Sequence, residues 1–143
     1  MKPAISVITL GVSDMANSVR FYRDGLGLPT RASEKDQITF FEMKGTMLAL
    51  FPRHELAVDA NISPAGSGFA GITLSHNVSS MKEVDDLIST IRKIGGNVVK
   101  VPQETAWGGY GSYFADPDGY LWEVVYNPKW KVDEEGLVIR NTD

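Results

Sequence analysis

The chain contains no cysteine. Disulfides, cysteine nucleophiles, iron–sulfur clusters and thiolate zinc sites are thereby excluded. Histidine is nearly as scarce: His54 and His76 are the only two, and their placement allows no Ser-His-Asp arrangement to be argued. Long apolar runs are also missing. No stretch reaches the 18 residues of a membrane span, and no signal-peptide core follows the N-terminus, so a cytoplasmic location is expected. Positive charge is in deficit: 14 Lys+Arg stand against 18 Asp+Glu, a net charge of −4. That balance argues against a nucleic-acid partner. Lys129 and Lys131 flank Trp130 without making a basic patch. The glycines fall into neither phosphate-cradling spacing, G-x-G-x-x-G or G-x-x-x-x-G-K-[ST].

What is present is ordinary globular material of 143 residues, one domain or two very small ones. Residues 5–12 are β-branched and apolar and read as a strand. Asp14 is placed as an N-cap, and Met15, Val19, Tyr22 and Leu26 recur at helical spacing until Gly25 and Gly27 stop the helix. β-like stretches follow near 30–34, 37–43 and 46–52. Residues 53–67, with Asn61, Pro64 and Gly66, read as a linker. The pattern then restarts. Residues 69–76 form a strand, and Ser80-Met-Lys-Glu83 is a capping box. A helical stripe of Val84, Leu87, Ile88, Ile91 and Ile94 ends at Gly95-Gly96. Strands near 97–103, 110–115 and 120–126 complete the series, the last two joined by the turn Asp116-Pro-Asp-Gly119. The chain is therefore strand–helix–three strands, twice, with Leu10 mapping onto Leu74. One such unit exposes a whole sheet face. Two can pair around a concave cavity, which makes a pseudo-two-fold α+β fold the physical expectation. Residues 129–143 form a tail that packs Trp130 locally or against a partner chain.

Two segments carry a signature. One is Leu10-x-Val12-x-Asp14 with Ser18-x-x-Phe21-Tyr22-Arg23-Asp24-x-Leu26-Gly27-Leu28; the other is Phe114-Ala-Asp116-Pro-Asp-Gly119-Tyr-Leu-Trp122-Glu123-Val124. Together they resemble the vicinal oxygen chelate superfamily of glyoxalase I, bleomycin-resistance proteins and extradiol dioxygenases. Trp107-Gly-Gly-Tyr110 looks like a glyoxalase-like subgroup. The resemblance spans residues 4–128. It implies one domain of two βαβββ modules, about 4–52 and 68–128, whose mixed sheet curves in a U around a metal or ligand site. It also implies a homodimer. The metal ligands of such proteins, His or Glu, come from the first and last strand of each module. Carried over by position, they fall at Val7, Ala49 or a neighbour, Gly71 and Glu123. Only Glu123 can bind metal, so no cofactor is expected. A divalent ion held by Glu123 and waters is the alternative.

The alternation of strand residues then gives the candidate site. Leu121, Glu123 and Val125 share one face, which the resemblance makes concave, and the same face of neighbouring strands offers Thr9, Thr73, Ser75, Met47 and Phe51. A carboxylate there suits acid–base work or ligand contact; the plainer reading has it hydrogen-bonded to a Thr or Ser. Trp107, Tyr110 and Tyr113 stand among glycines and suit a mobile wall against a flat ligand, or simply plug a loop onto the core. His76 has the parity of the helix-facing side and reaches the cavity mouth only if a bulge shifts the register. His54 is expected in solvent, Asp116 and Asp118 in turn bonds, and Glu42 is of unresolved facing. Asn77-Val-Ser79 matches a glycosylation sequon, read as chance. Two functions follow. The first is a small-molecule binding protein for an apolar or aromatic compound; the second is a glyoxalase-like lyase or isomerase using Glu123 as base or metal ligand. A third, an interaction module, has no feature selecting it.

Overall fold

Each half of the chain opens with a strand that runs parallel to the last strand of its own sheet, and this pairing sets both architectures. The computed structural model describes residues 1, 3, 5–33, 36–70 and 72–139. It divides into two compact units, Met1–Gly68 and Phe69–Asp143, in a mixed α+β arrangement.

In the first unit β1 (Val7–Val12) pairs in parallel with β3 (Met47–Pro52), and β2 (Thr39–Phe41) lies antiparallel on its other side. Helix α1 (Met15–Val19) starts where the Asp14 carboxylate accepts the Asn17 N–H at 2.9 Å, the expected N-cap. It continues as a wide π-type turn over Arg20–Gly25. This carries Tyr22, fully buried, onto Phe41 with ring centroids 5.8 Å apart. Leu10, Val12, Val19, Leu48 and Leu50 complete that core.

Two expectations fail in this unit. Residues 30–33 are not a strand: Thr30 Oγ donates to the Phe40 carbonyl, and Glu42 N–H donates to that of Pro29, so the segment is tied to β2 by isolated bonds rather than a ladder. The predicted linker begins as a helix, α2 (Arg53–Asp59). Its end is a Schellman motif. Asn61 takes a φ of 55°, and the Asn61 and Ile62 N–H groups donate to the Val58 and Ala57 carbonyls. The asparagine read as a linker residue is a helix terminator. α2 packs on the sheet at Gly11, where a methyl group would stand 3.2 Å from the Arg53 backbone.

In the second unit the order is β4 (Thr73–Val78), β7 (Leu121–Tyr126), β6 (Tyr110–Ala115), β5 (Asn97–Glu104). Helix α3 (Met81–Lys93) covers one face with Val84, Ile88 and Ile91, all fully buried. Ser80 accepts the Glu83 N–H at 3.2 Å, while Glu83 reaches back to the N–H of Ser79, one residue before the usual capping-box partner. The β6–β7 turn closes as predicted. The Asp116 carboxylate accepts the N–H groups of Asp118 and Tyr120, and Gly119 takes a φ of 85°. Beyond β7 the tail is folded: β8 (Lys131–Val132) and β9 (Val138–Ile139) pair around a turn centred on Asp133.

Candidate functional site

The register of three strands puts one carboxylate between two hydroxyls. Ser75 on β4 stands opposite Glu123 on β7, and Glu123 stands opposite Tyr113 on β6. Residues opposite one another share a face, and this face is the one away from α3. Ser75 Oγ donates to Glu123 Oε2 at 2.7 Å, and the Tyr113 hydroxyl donates to Oε1 at 3.0 Å. Both carboxylate oxygens are thus engaged by neutral donors, and Glu123 is half-buried. Burial, followed by the bond to Glu123 and the charge on it, holds the Tyr113 phenol above the usual tyrosine value. Lys100 of β5 sits over the Tyr113 ring, 6.0 Å from its centroid.

Glu123 borders a cavity of about 220 Å³ with Ser75, Asn77, Trp107, Val125, Asn127 and Trp130. Trp107 arrives on the β5–β6 turn, which is closed by the Thr105 and Gly109 backbones and by Thr105 Oγ accepting the Gly109 N–H at 2.8 Å. The indole lies on Gly109 so closely that a methyl group there would overlap it. Trp130 arrives from the tail, after a turn in which Asn127 Oδ1 accepts the Lys129 N–H. Asn77 Oδ1 is buried and has no hydrogen-bond partner among the described residues.

The sequence-predicted residues separate into three groups. Glu123, Ser75, Tyr113 and Trp107 come together; Thr73 shares their face one pair along, opposite Leu121, outside the cavity lining. Tyr110 and His76 lie on the other face. The Tyr110 hydroxyl donates to Asp85 of α3 at 2.9 Å, which is the main cause of its raised pKa. His76 stands opposite Val124 in an unbroken register, so no bulge turns it toward Glu123. Neighbouring atoms desolvate its imidazole and hold its pKa below the usual value, with Glu83 opposing. Thr9, Met47 and Phe51 belong to the first unit, on the face that β1 and β3 share with Val7, Gly11 and Ala49. Met47 borders a second, open cavity of about 450 Å³ there with Ile38, Phe40, Arg31 and Glu42, and Glu42 is paired with Arg31 at 3.0 Å.

Of the positions the resemblance gives to metal ligands, Val7 and Ala49 carry only hydrocarbon and Gly71 lies outside the described residues. Among the described residues no cluster of three or more His, Asp or Glu is placed to hold a metal ion. Strand parity placed Val125 on the Glu123 face, but Asn77, Asn127 and the site role of Trp130 were not found from sequence. Strand parity with Ser75 was the available signal for Asn77. For Trp130 there was none, because its position depends on how the tail folds.

The sequence model of the Glyoxalase/Bleomycin resistance protein/Dioxygenase superfamily matches residues 4–124. A glyoxalase-related enzyme from Fulvimarina pelagi superimposes with a TM-score of 0.84 at 33% identity, over 96% of this chain and 97% of that one. A lactoylglutathione lyase from Agrobacterium tumefaciens gives 0.70 at 26% identity, over 93% of this chain and 100% of that one. The curated lactoylglutathione lyase GLX1 of Arabidopsis thaliana is 28% identical over 122 residues, 80% of this chain, and the chain spans only 41% of that relative's length. With that match covering most of the sequence, the chain belongs to the Glyoxalase/Bleomycin resistance protein/Dioxygenase superfamily.

Proposed function

We propose that this protein binds a small organic compound in the cavity beside Glu123, without a divalent ion at the family position. The observation carrying this reading is the Glu123 carboxylate, held by Ser75 and Tyr113 at the edge of a cavity flanked by two indoles. The flat apolar walls suit an aromatic or apolar body, and the carboxylate fixes its orientation. The donor set does not fit a divalent ion, which needs several anionic or imidazole ligands to offset its lost hydration. Among the described residues bordering the cavity Glu123 is the single carboxylate, and its oxygens already accept two hydroxyl bonds. Titration with a panel of planar organic compounds, followed by tryptophan emission and calorimetry, is expected to give saturable binding by at least one. Silence across the panel rejects the reading. Plasma mass spectrometry of protein purified without chelators is expected to find no stoichiometric metal, and a near-equimolar ion rejects the metal-free form.

A second reading is favoured by the two curated relatives named as lactoylglutathione lyases. In it Glu123 takes a proton from carbon next to a substrate carbonyl, and the Tyr113 phenol, whose hydrogen bond to Oε1 is given up as that carboxylate is neutralised, donates instead to the developing oxygen charge. Turnover of the methylglyoxal–glutathione hemithioacetal, lost in Glu123→Gln, establishes it; no turnover, with or without added Ni²⁺ or Zn²⁺, dismisses it. A homodimer is the assembly proposed, by analogy with the superfamily.

A further inference from the structure

Resting on the small-molecule reading, we infer that the group seated against Glu123 is a planar organic cation with N–H donors, such as an amidinium, guanidinium or protonated aminoheterocycle. Four observations lead there. Glu123 carries a formal negative charge, and its hydrogen-bond partners, Ser75 and Tyr113, are neutral. No lysine, arginine or histidine borders the cavity among the described residues. Lys100 stands over the Tyr113 ring. An anion placed here would face Glu123 with no cation bordering the cavity among the described residues to offset the repulsion.

The second observation is Asn77. Its Oδ1 is buried with no partner among the described residues, on the same sheet face and next to the row of Ser75, Glu123 and Tyr113. A buried acceptor left unpaired is costly, and a ligand N–H reaching it removes that cost. Glu123 and Asn77 together present acceptors to a group that can donate in two directions. The third is the walls. Trp107 and Trp130 offer the ring type with the strongest attraction for a cation, and Arg-like planar cations also stack on it. The fourth is size. At about 220 Å³ the cavity is below the range of about 300–1,000 Å³ typical for a whole drug-sized ligand. It fits a charged headgroup, with the rest of the ligand outside. Trp130 lies beyond residue 124, where the family match ends, so part of this specificity comes from the tail.

The test uses three compounds of one shape on the full chain: benzamidinium, neutral benzamide and anionic benzoate, titrated calorimetrically and by tryptophan emission. Benzamidinium is expected to bind about tenfold more tightly than benzamide, with benzoate not binding. Glu123→Gln is expected to abolish the preference between the first two, and Trp130→Leu to weaken benzamidinium. If Glu123→Gln does not fold, salt replaces it: raising ionic strength to about 0.5 M must weaken benzamidinium and spare benzamide. Benzamide or benzoate binding as tightly as benzamidinium, or a benzamidinium affinity indifferent to salt, overturns the charge assignment and leaves the small-molecule reading standing. Binding of none of the three overturns the charge assignment, and failure of the wider panel as well overturns both.

Discussion

Glu123 accepts hydrogen bonds on both oxygens, and one of its donors, Tyr113, reports on the pair through its own titration. Because burial raises the Tyr113 pKa alongside Glu123, Glu123→Gln is expected to lower that pKa only part of the way toward the ordinary tyrosine value of about 10. The difference in phenolate absorbance between this variant and its Tyr113→Phe counterpart measures it. The folded state holds this phenol proton more tightly than the unfolded chain does. The associated stability is therefore present below about pH 10 and declines as the pH rises through the folded value. His76 behaves in the opposite sense. Its lowered pKa, caused first by desolvation, means that the unfolded chain binds a proton more readily than the folded state does. Stability is expected to fall as the pH drops below about 6.5, until the folded imidazole also protonates, and His76→Gln is expected to flatten that part of the urea-midpoint profile against pH.

At the scale of elements, caps and turns do measurable work. Ser80→Ala removes the acceptor for the Glu83 N–H at the head of α3 and is expected to lower unfolding free energy by about 1 kcal/mol, with an unchanged denaturant slope. The β5–β6 turn positions the site rather than the core. Gly109→Ala forces the Trp107 indole off its seat. Tryptophan emission should shift and ligand affinity should fall, with far-UV circular dichroism unchanged; retention of native emission would mean that the turn, and not the indole, gives way. The elements also mark where patterns in sequence were misleading. The Schellman end of α2 uses Asn61, and Asn61 with the following Pro64 and Gly66 reads as loop chemistry unless the helix before it is recognised. α2 has seven residues, too short for its apolar period to stand out. Residues 30–33 have some β character but not a ladder, because pairing is decided by what lies alongside.

For the whole molecule the proposed assembly is directly testable. Sedimentation equilibrium is expected to give about twice the monomer mass of 15.7 kDa. Val99 and Val101 are exposed apolar residues on the edge strand β5. A monomer at micromolar concentration would dismiss the homodimer without touching the site, since every residue bordering the Glu123 cavity comes from the second unit. Among the described residues no helix is long and apolar enough to cross a membrane, in agreement with the absence of such a run in the sequence.

Local chemistry was legible because it is local. The Asp14 cap, the Ser80–Glu83 cap, the α3 stripe and the Asp116–Gly119 turn each depend on residues within a few positions of one another, so order along the chain suffices. The two-residue period of a strand likewise sets Ser75 and His76 on opposite faces, and the family resemblance puts Glu123 on the Ser75 side. Tertiary structure alone decided what crosses between distant segments. It chose Ser75 and Tyr113 as the partners of Glu123, gave the Tyr110 hydroxyl to Asp85, left Asn77 Oδ1 without a partner among the described residues and brought Trp130 from the tail to the cavity. These outcomes rest on strand register and on how one folded segment seats against another. Both are set by the summed packing and hydrogen bonding of residues far apart in sequence, and no spacing along the chain encodes that sum.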